Sequence, residues 1–163
     1  MKRADLIPGK ILTREAAIQQ VVQWRLLGKK IAFTNGVFDL LHPGHIFSLS
    51  EAAREGHFLV VGLNADASVK RLKGESRPVN NQEARALILA SFVMVDAVVI
   101  FEGGTPLELI KSLLPDVIVK GGDYTVEQVA GGREVMANGG RVVINPILEG
   151  HSTTSMIAKM KEH

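Results

Sequence analysis

The chain has 163 residues, of which 46% are hydrophobic and 22% charged, and its formal net charge is only +2. This length and composition predict one globular domain with its own core. The balanced charge and the few aromatics (one Trp, one Tyr and six Phe) argue against a nucleic-acid-binding protein. Cysteine is absent, which excludes disulfides and thiol catalysis and fits a cytoplasmic protein. No apolar run resembles a signal peptide or approaches the ~20 residues of a membrane-spanning helix.

Helical and extended patterns alternate along the chain. A helix is predicted over 13–28, because Thr13 suits an N-cap and Gly28 a helix end, so residues 1–28 form a helical N-terminal extension. The apolar runs that predict strands follow at residues 30–34, 58–63, 96–101, 116–120 and 141–145. The remaining helices are predicted at residues 43–55, 65–72, 82–92, 106–114, 126–138 and 153–161.

The predicted strands are apolar on both faces, which is typical of a parallel sheet covered by helices. The sequence therefore predicts an α/β fold, a Rossmann-like doubly wound five-stranded parallel sheet, as a single domain over residues 1–163. In such sheets ligands bind beyond the carboxyl ends of the strands. The loops expected to contain the chemistry are 34–45, 63–80, 101–105, 120–125 and 145–154.

The first of these loops ends in the unusual stretch His42-Pro43-Gly44-His45. Proline suits the first turn of a helix, and the free N–H groups at a helix start form a ready anion site. The two imidazoles flank that start and are placed to direct nitrogen atoms at one anion. Asn35-Gly36, earlier in the loop, allows the backbone to approach a ligand closely. The sequence thus predicts a phosphate site, the alternative being a capping His42 and a surface His45.

Four segments of the chain resemble a known family. The H-x-G-H motif, preceded by T-x-G-x-F-D in FTNGVFDLLHPGH, is similar to that of the cytidylyltransferase-like nucleotidyltransferase superfamily. With LNADASVKRLKGESRPVN, TPLELIKSLLPDVIVKGGDY and EGHSTT, it resembles the heptose 1-phosphate adenylyltransferases, which make ADP-heptose for lipopolysaccharide. The resemblance covers about residues 30–160. Such domains can be fused to a sugar kinase, and because about thirty residues precede the motif, a free-standing form is expected.

The resemblance implies transfer of AMP from ATP to D-glycero-β-D-manno-heptose 1-phosphate, with release of pyrophosphate. The attacking phosphate is already an anion, so catalysis needs positioning and charge stabilisation rather than a strong base. Mg²⁺ is expected to accompany ATP through phosphate oxygens, and no all-protein metal site is visible. The catalytic residues predicted on this basis are His42, His45 and Lys73.

The resemblance also implies a nucleotide site built from several loops. The glycines after Lys120 permit close backbone approach, and the hydroxyl run Ser152–Ser155 precedes the last helix, where capping explains one of its members. Asp123 could form a hydrogen bond with the nucleotide or cap the next helix. The predicted nucleotide-binding residues are Thr34, Asn35, Gly36, Phe38, Gly44, Lys120, Gly121, Asp123, Ser152, Thr153 and Thr154.

The basic segment 70–77 suits a phosphate-rich acceptor, although a solvated helix face is the alternative. Arg85 follows inside a predicted helix and is either directed toward the acceptor or exposed. The predicted acceptor-binding residues are Asp39, Asn64, Asp66, Arg77 and Arg85.

Two alternative functions remain open. One is another enzyme of the superfamily, such as a glycerol-3-phosphate cytidylyltransferase or a pantetheine-phosphate adenylyltransferase. Related glycerol-phosphate enzymes have an arginine where this chain has Ile147, which argues against the cytidylyl branch. The other is a non-catalytic ATP sensor, which the intact H-x-G-H motif disfavours. The N-terminal helix with Trp24 allows a homodimer.

Overall fold

The computed structural model describes residues 4–147, 150 and 152–161. Its strands are β1 (Ile11–Leu12), β2 (Ile31–Gly36), β3 (Phe58–Asn64), β4 (Ala97–Phe101), β5 (Val117–Gly121) and β6 (Arg141–Asn145). Its α-helices are α1 (Arg14–Leu26), α2 (Pro43–Arg54), α3 (Asp66–Lys73), α4 (Gln82–Ala90), α5 (Leu107–Leu113), α6 (Gly132–Ala137) and α7 (Thr153–Lys161). Short 3-10 turns lie at Ala4–Leu6, Pro8–Lys10 and Val126–Gln128.

The strands form one parallel sheet in the order β1-β4-β3-β2-β5-β6. From β2 the chain moves outward through β3 to β4, then returns to the other side of β2 with β5 and β6. This reversal is the doubly wound topology predicted from the sequence, and it confirms the α/β class.

Helices cover both faces of the sheet, so the central strands are buried from two sides. Phe33 of β2 packs with Ile110 of α5 in one apolar cluster. Its neighbour Ala32 points to the opposite face and packs with Leu49 of α2 and Leu89 of α4 in a second cluster. This alternation explains why the strands are apolar throughout rather than at every second residue.

The sheet has six strands in the described residues, and the prediction of five was wrong. The additional strand β1 pairs Ile11 with Val98 and Leu12 with Val99 at the edge of the sheet. Two residues are too few to show a periodicity of two, so the pattern did not reveal it. The segment 1–28 is therefore not simply a helical extension, because part of it completes the sheet.

The helix predicted over 126–138 is also wrong in its extent. A 3-10 turn occupies Val126–Gln128, and α6 begins only at Gly132. Between them Gly131 has φ of +78°, and a Cβ there would lie 2.5 Å from Cγ2 of Ile110. Only glycine fits this position, and its left-handed conformation separates the two helical pieces.

The predicted helix near the N-terminus is confirmed as α1. Thr13 accepts a hydrogen bond from the Ala16 amide at 3.2 Å, so it is the N-cap as expected. Trp24 stacks on Phe58 with ring centroids 4.2 Å apart, which fixes this end of the helix against the core. No helix in the described part of the chain is both long and apolar enough to cross a membrane.

Candidate active site

The candidate site lies at the carboxyl edge of the sheet, beside its central strand β2. Strand β2 lies between β3 and β5, and the chain direction reverses at this point. The loops that follow β2 and β5 therefore diverge and leave a crevice at the carboxyl edge of the sheet. The H-x-G-H loop borders this crevice on one side. Lys120, the penultimate residue of β5, borders it on the other.

The two histidines lie at the start of α2. Pro43 is the first helical residue, His42 is the N-cap and His45 is the third helical residue. Their ring centroids are 3.9 Å apart, and the His42 backbone amide lies 3.4 Å from Nδ1 of His45. A ring that accepts through Nδ1 has its proton on Nε2, which leaves that N–H to donate to a ligand.

The titration of His45 reflects these surroundings. Burial first, and then the neighbouring His42, lowers the pKa of His45 to about 4. The ring is therefore neutral at pH 7, and its Nε2–H can donate a hydrogen bond to a ligand without adding a positive charge. Gly44, between the two histidines, is buried.

The loop between β2 and the histidines is tightly folded. Phe38 has a positive φ of 47°, and its ring lies 5.4 Å from the His45 ring. A Cβ on Gly36 would be 2.9 Å from Cε2 of Phe38, so this turn requires glycine. The aromatic ring thereby limits the space that His45 can occupy.

We call the first cavity of the crevice the histidine cavity; it has a volume of about 490 Å³. Four of its lining residues are nitrogen donors from three separate elements, and Lys120 is a fifth. Hydroxyl groups from the start of α7 close the opposite wall. The lining residues are Val37, Phe38, Asp39, His42, His45, Lys73, Arg77, Lys120, Gly121, Tyr124, Ile147, Ser152, Thr153 and Thr154.

A second cavity, the amide cavity, adjoins the first and has a volume of about 450 Å³. The two share Val37, Lys73, Lys120 and Tyr124. Apart from those two lysines, its lining is uncharged. The lining residues are Asn35, Gly36, Val37, Asn64, Leu72, Lys73, Gly104, Thr105, Pro106, Lys120, Tyr124, Gln128, Val129 and Ala130.

Asn64 is held in one orientation in the wall of the amide cavity. Ser68 donates its hydroxyl proton to the Gly103 carbonyl at 2.9 Å, so it can only accept from Asn64 Nδ2, also at 2.9 Å. The amide nitrogen of Asn64 therefore faces Ser68, and its oxygen faces away. This buried side chain offers a fixed acceptor to a ligand in the cavity.

Asp39 organises the segment between α3 and α4. Its carboxylate accepts from Arg77 Nε at 2.7 Å and from the Val79 and Asn80 amides at 2.9 Å. Burial alone would raise the pKa of Asp39, but these hydrogen bonds and the positive charge of Arg77 outweigh it and hold the pKa below its usual value. Arg77 bonds Asp39 through Nε, and its side chain also lines the histidine cavity.

Arg85 is buried, with 1% of its surface exposed, rather than lying on the outer face of a helix. Its guanidinium donates to the carbonyls of Val37, Asn64 and Asn80 and to Oδ1 of Asp66 at 2.7 to 2.9 Å. The side chain thus connects the loop after β2, the end of β3 and the start of α3. Its place is behind the cavities rather than in their lining.

The last predicted loop leads into α7, whose first residues lie beside the loop that contains the histidines. Ser152 Oγ accepts from the Ser155 amide at 3.0 Å, so Ser152 is the expected capping hydroxyl. Thr153 donates to the Leu40 carbonyl at 2.9 Å, which attaches the start of α7 to the loop before the histidines. Glu149 and His151, also part of the predicted loop, lie outside the described residues.

Most of the sequence-predicted residues converge on this crevice. Those that line the two cavities, or a smaller one beneath the β2 loop, are Thr34, Asn35, Gly36, Phe38, Asp39, His42, His45, Asn64, Lys73, Arg77, Lys120, Gly121, Ser152, Thr153 and Thr154. Gly44, Asp66, Arg85 and Asp123 do not line them, and Asp123 is exposed on its loop.

Sequence reasoning missed part of the amide cavity. Thr105 was within a loop expected to contain chemistry, but it has no charge or motif to mark it. The predicted helix over 126–138 includes Gln128 in its first turn, whereas Gln128 lies in a separate 3-10 turn that borders the crevice. The signal in the sequence is the pair Gly131-Gly132, because two consecutive glycines interrupt a helical pattern and place Gln128 outside the helix that follows.

No group of three or more His, Asp or Glu side chains in the described ranges is placed to hold a metal ion. Asp39, which lines the same cavity as the histidines, already accepts hydrogen bonds from Arg77 and two backbone amides. The side chains that face the histidine cavity are suited to anions rather than to a cation.

Comparison with known proteins decides the family. The sequence pattern of the cytidylyltransferase-like family matches residues 33–159, which include both cavities' principal residues. The chain belongs to the cytidylyltransferase-like family. This cytidylyltransferase-like domain is a nucleotidyltransferase, as the H-x-G-H motif predicted.

Curated relatives and solved structures are consistent with this family. The chain is 54% identical over 157 residues to the bifunctional protein HldE of Hyphomonas neptunium, and 53% identical over 152 residues to that of Acidiphilium cryptum. These alignments include 96% and 93% of this chain, but the chain spans only about a third of the relatives' length, 31% in each. Among solved structures, a lipopolysaccharide core biosynthesis protein from Thermoplasma volcanium matches with a TM-score of 0.61 and 27% identity, over 76% of this chain and 100% of that one.

Proposed function

We propose that this cytidylyltransferase-like chain transfers AMP from ATP to D-glycero-β-D-manno-heptose 1-phosphate, which gives ADP-heptose and pyrophosphate for lipopolysaccharide. The observation that supports it most is the pair of cavities with different chemistry that meet at Lys73 and Lys120. One cavity suits a polyphosphate and the other a neutral sugar, and the shared lysines lie where the two substrates would meet. The heptose branch rests on the motifs LKG-x-x-RPV and VKGGDY, and on the naming of the solved relative for lipopolysaccharide core biosynthesis.

The histidine cavity suits the triphosphate of ATP. His42 and His45 at the start of α2, Arg77 and the α7 hydroxyls supply donors from separate directions. Phosphate oxygens accept several hydrogen bonds at once, and a helix start favours negative charge. Because His45 is neutral in the free protein, its Nε2–H can strengthen its interaction as charge develops on the phosphoryl oxygens.

The amide cavity suits the sugar of the acceptor. Its uncharged polar groups, such as Asn64, Thr105 and Gln128, match neutral hydroxyl groups rather than another anion. A volume of about 450 Å³ is within the usual range of small-molecule sites. Asp66 and Arg85 then act behind this cavity, by holding Asn64 and the β2 loop in position.

The proposed chemistry is a direct displacement at phosphorus. An oxygen of the acceptor phosphate forms a bond to the α-phosphorus of ATP as the bond from that phosphorus to the pyrophosphate oxygen breaks. No proton has to be removed from the nucleophile, so the chain's residues bind, align and neutralise charge. Each histidine is expected to contribute like one preorganised donor, on the order of 100-fold in kcat.

Mg²⁺ is proposed to enter with ATP as part of the substrate. The ion prefers oxygen ligands and keeps several waters, so phosphate oxygens can hold it without a carboxylate cluster. This agrees with a cavity lined by donors. ATP and sugar phosphates are cytoplasmic metabolites, and we place the reaction there; a homodimer remains compatible with the exposed apolar residues of α1.

The decisive experiment is a substrate screen. The purified chain is incubated with Mg²⁺, each of ATP and CTP, and heptose 1-phosphate, glycerol 3-phosphate or phosphopantetheine, and pyrophosphate release is measured. ATP with heptose 1-phosphate is expected to be the most efficient pair. A better reaction of CTP with glycerol 3-phosphate would contradict the branch, and ATP binding without turnover in any pair would favour the sensor.

Variants of the histidines test the assignment of the site. His42→Ala and His45→Ala are each expected to lower kcat at least ~100-fold with the fold intact, as judged by circular dichroism. His57→Ala is the control, because His57 lies at the opposite end of β3 and accepts from the Lys30 amide. Turnover close to wild type in both active-site variants would remove the basis of the proposal.

A further inference from the structure

Ser68 in α3 is fully buried, with 0% of its surface exposed, and it lines neither cavity. A buried hydroxyl group is unfavourable unless it is hydrogen-bonded. The hydroxyl of Ser68 forms two hydrogen bonds of 2.9 Å, one with the carbonyl of Gly103 and one with Nδ2 of Asn64. It therefore connects the end of β3 with the turn that follows β4.

The partner at Gly103 decides the direction of both bonds. A carbonyl oxygen only accepts, so the one hydroxyl proton of Ser68 is donated to Gly103 and only lone pairs remain for Asn64. If the Asn64 amide were reversed, its Oδ1 would face an oxygen without a proton to offer, or the bond to Gly103 would be lost. Either change leaves a buried polar group unsatisfied, so one orientation of the amide is stable.

The turn after β4 is itself held against α3. Three donors, spaced three residues apart on α3 and its N-cap, bind the consecutive carbonyls of residues 101–103. They are the Ala65 amide, the Ser68 hydroxyl and the Arg71 guanidinium. Helix residues at this spacing share a face, so the turn is attached along one side of α3. Thr105, two residues further on, lines the amide cavity beside Asn64 and is thus positioned by the same contacts.

The fixed amide determines what the amide cavity offers to a ligand. The oxygen of an amide side chain lies on the side opposite its nitrogen. Because Nδ2 of Asn64 is bound to Ser68, which lies outside the cavity, the group that Asn64 presents there is Oδ1. An acceptor of this kind binds a hydroxyl group, which has a proton to donate, and repels a ketone or an ionised phosphate oxygen, which has none.

We propose that Ser68 is a positioning residue for recognition of the acceptor sugar. It fixes the Asn64 amide so that Oδ1 accepts a hydrogen bond from one hydroxyl group of the sugar phosphate, and the cavity discriminates against a sugar that lacks this hydroxyl. Ser68 itself touches neither substrate. The identity of the sugar phosphate rests on the proposed function, whereas the orientation of Asn64 by Ser68 does not.

The kinetic test uses heptose 1-phosphates that each lack one hydroxyl group. In the wild type, one of these analogues should have a kcat/KM about 5- to 150-fold below that of the parent sugar, because it leaves Oδ1 of Asn64 unpaired. Ser68→Ala should raise KM for the parent sugar and reduce this ratio to less than about threefold, with KM for ATP nearly unchanged. A merely structural role of Ser68 would lower the kcat/KM of the parent and of every analogue by the same factor.

Two further variants complete this comparison. Ser91→Ala is the matched control, because Ser91 is exposed and donates to the Ile88 carbonyl at the end of α4; it should keep the wild-type ratio. Asn64→Leu removes the acceptor directly and should lose the discrimination as Ser68→Ala does, so the proposal is tested even if Ser68→Ala folds poorly. A wild-type ratio in either Ser68→Ala or Asn64→Leu, or no discrimination by an active wild type, would overturn the proposal.

A measurement on the free protein does not depend on the substrate. The side-chain amide protons of Asn64 are observed by NMR after ¹⁵N labelling and assigned by their absence in Asn64→Leu. Bound to the buried Ser68, they should exchange with solvent more slowly than those of the exposed Asn138, and at least about tenfold faster in Ser68→Ala than in the wild type.

Equal exchange of the Asn64 amide in the wild type and in Ser68→Ala would overturn the positioning role. If the exchange depends on Ser68 but no sugar phosphate reacts with ATP, the proposed function fails while the orientation of Asn64 by Ser68 stands.

Discussion

Replacement of Arg85 by methionine should destabilise the protein more than any other single change of a charged side chain at the site. Methionine keeps most of the length and the apolar stem but removes every donor. Three backbone carbonyls and the carboxylate of Asp66 then lose their partner. Two of those carbonyls belong to residues that line the amide cavity, Val37 and Asn64, so the wall of that cavity should loosen as well.

The magnitude follows from burial. Removal of one partner from a buried charged network costs about 3–5 kcal/mol, and each buried acceptor left unsatisfied costs about 1–3 kcal/mol. Asp66 is one-third exposed, at 33%, and can be rehydrated, so its share is small. We expect a loss of about 3–5 kcal/mol, which corresponds to roughly 6–20 °C in Tm for a domain of this size.

Urea unfolding followed by circular dichroism measures this loss. Arg133→Met, on the exposed side of α6, is the matched control and should change the unfolding free energy by less than about 0.5 kcal/mol. Arg85→Lys should lie between the two, because an ammonium cannot reach all four acceptors. A loss below about 1 kcal/mol for Arg85→Met, at an unchanged m-value, would refute the reasoning.

Two further predictions concern stability. Because the pKa of His45 is about 4 in the folded protein and an unperturbed histidine has a pKa of 6.5, the unfolded chain binds more protons between these values. Stability should therefore rise with pH over that interval, and urea midpoints of His45→Gln should show a smaller rise than those of His57→Gln. Gly131→Ala should cost about 2–5 kcal/mol, because it adds a clash with Ile110 to an unfavourable positive φ, whereas Gly139→Ala at φ of +85° with open space should cost only about 1–2 kcal/mol. Equal losses in the two glycine variants would show that Ile110 moves aside.

The fold class was accessible from local patterns. Apolar strands that alternate with helices required a parallel sheet covered on both faces, and Thr13 and Pro43 marked helix starts with side-chain chemistry alone. The two wrong predictions, the number of strands and the extent of the helix over 126–138, also have local causes. β1 is only two residues long, and Gly131 interrupts a pattern that is otherwise helical.

Burial of the charged residues was not accessible in this way. The sequence left Arg85 either exposed or directed to the acceptor, and the structure places it in the core behind the cavities. Asp39 likewise holds the segment that contains Arg77 through two backbone amides. Both contacts join residues that are distant along the chain, and no pattern within one helix or strand encodes them.

The sequence by itself therefore determined the elements and the H-x-G-H anion site, because periodicity, capping and helix-start chemistry depend on residues only a few positions apart. The tertiary structure alone decided which loops became neighbours. The order of the strands sets β5 beside β2, and this brings Lys120 to the histidines of α2 and makes it border two cavities at once. That adjacency comes from the packing of the whole sheet, and no pattern of neighbouring residues encodes it.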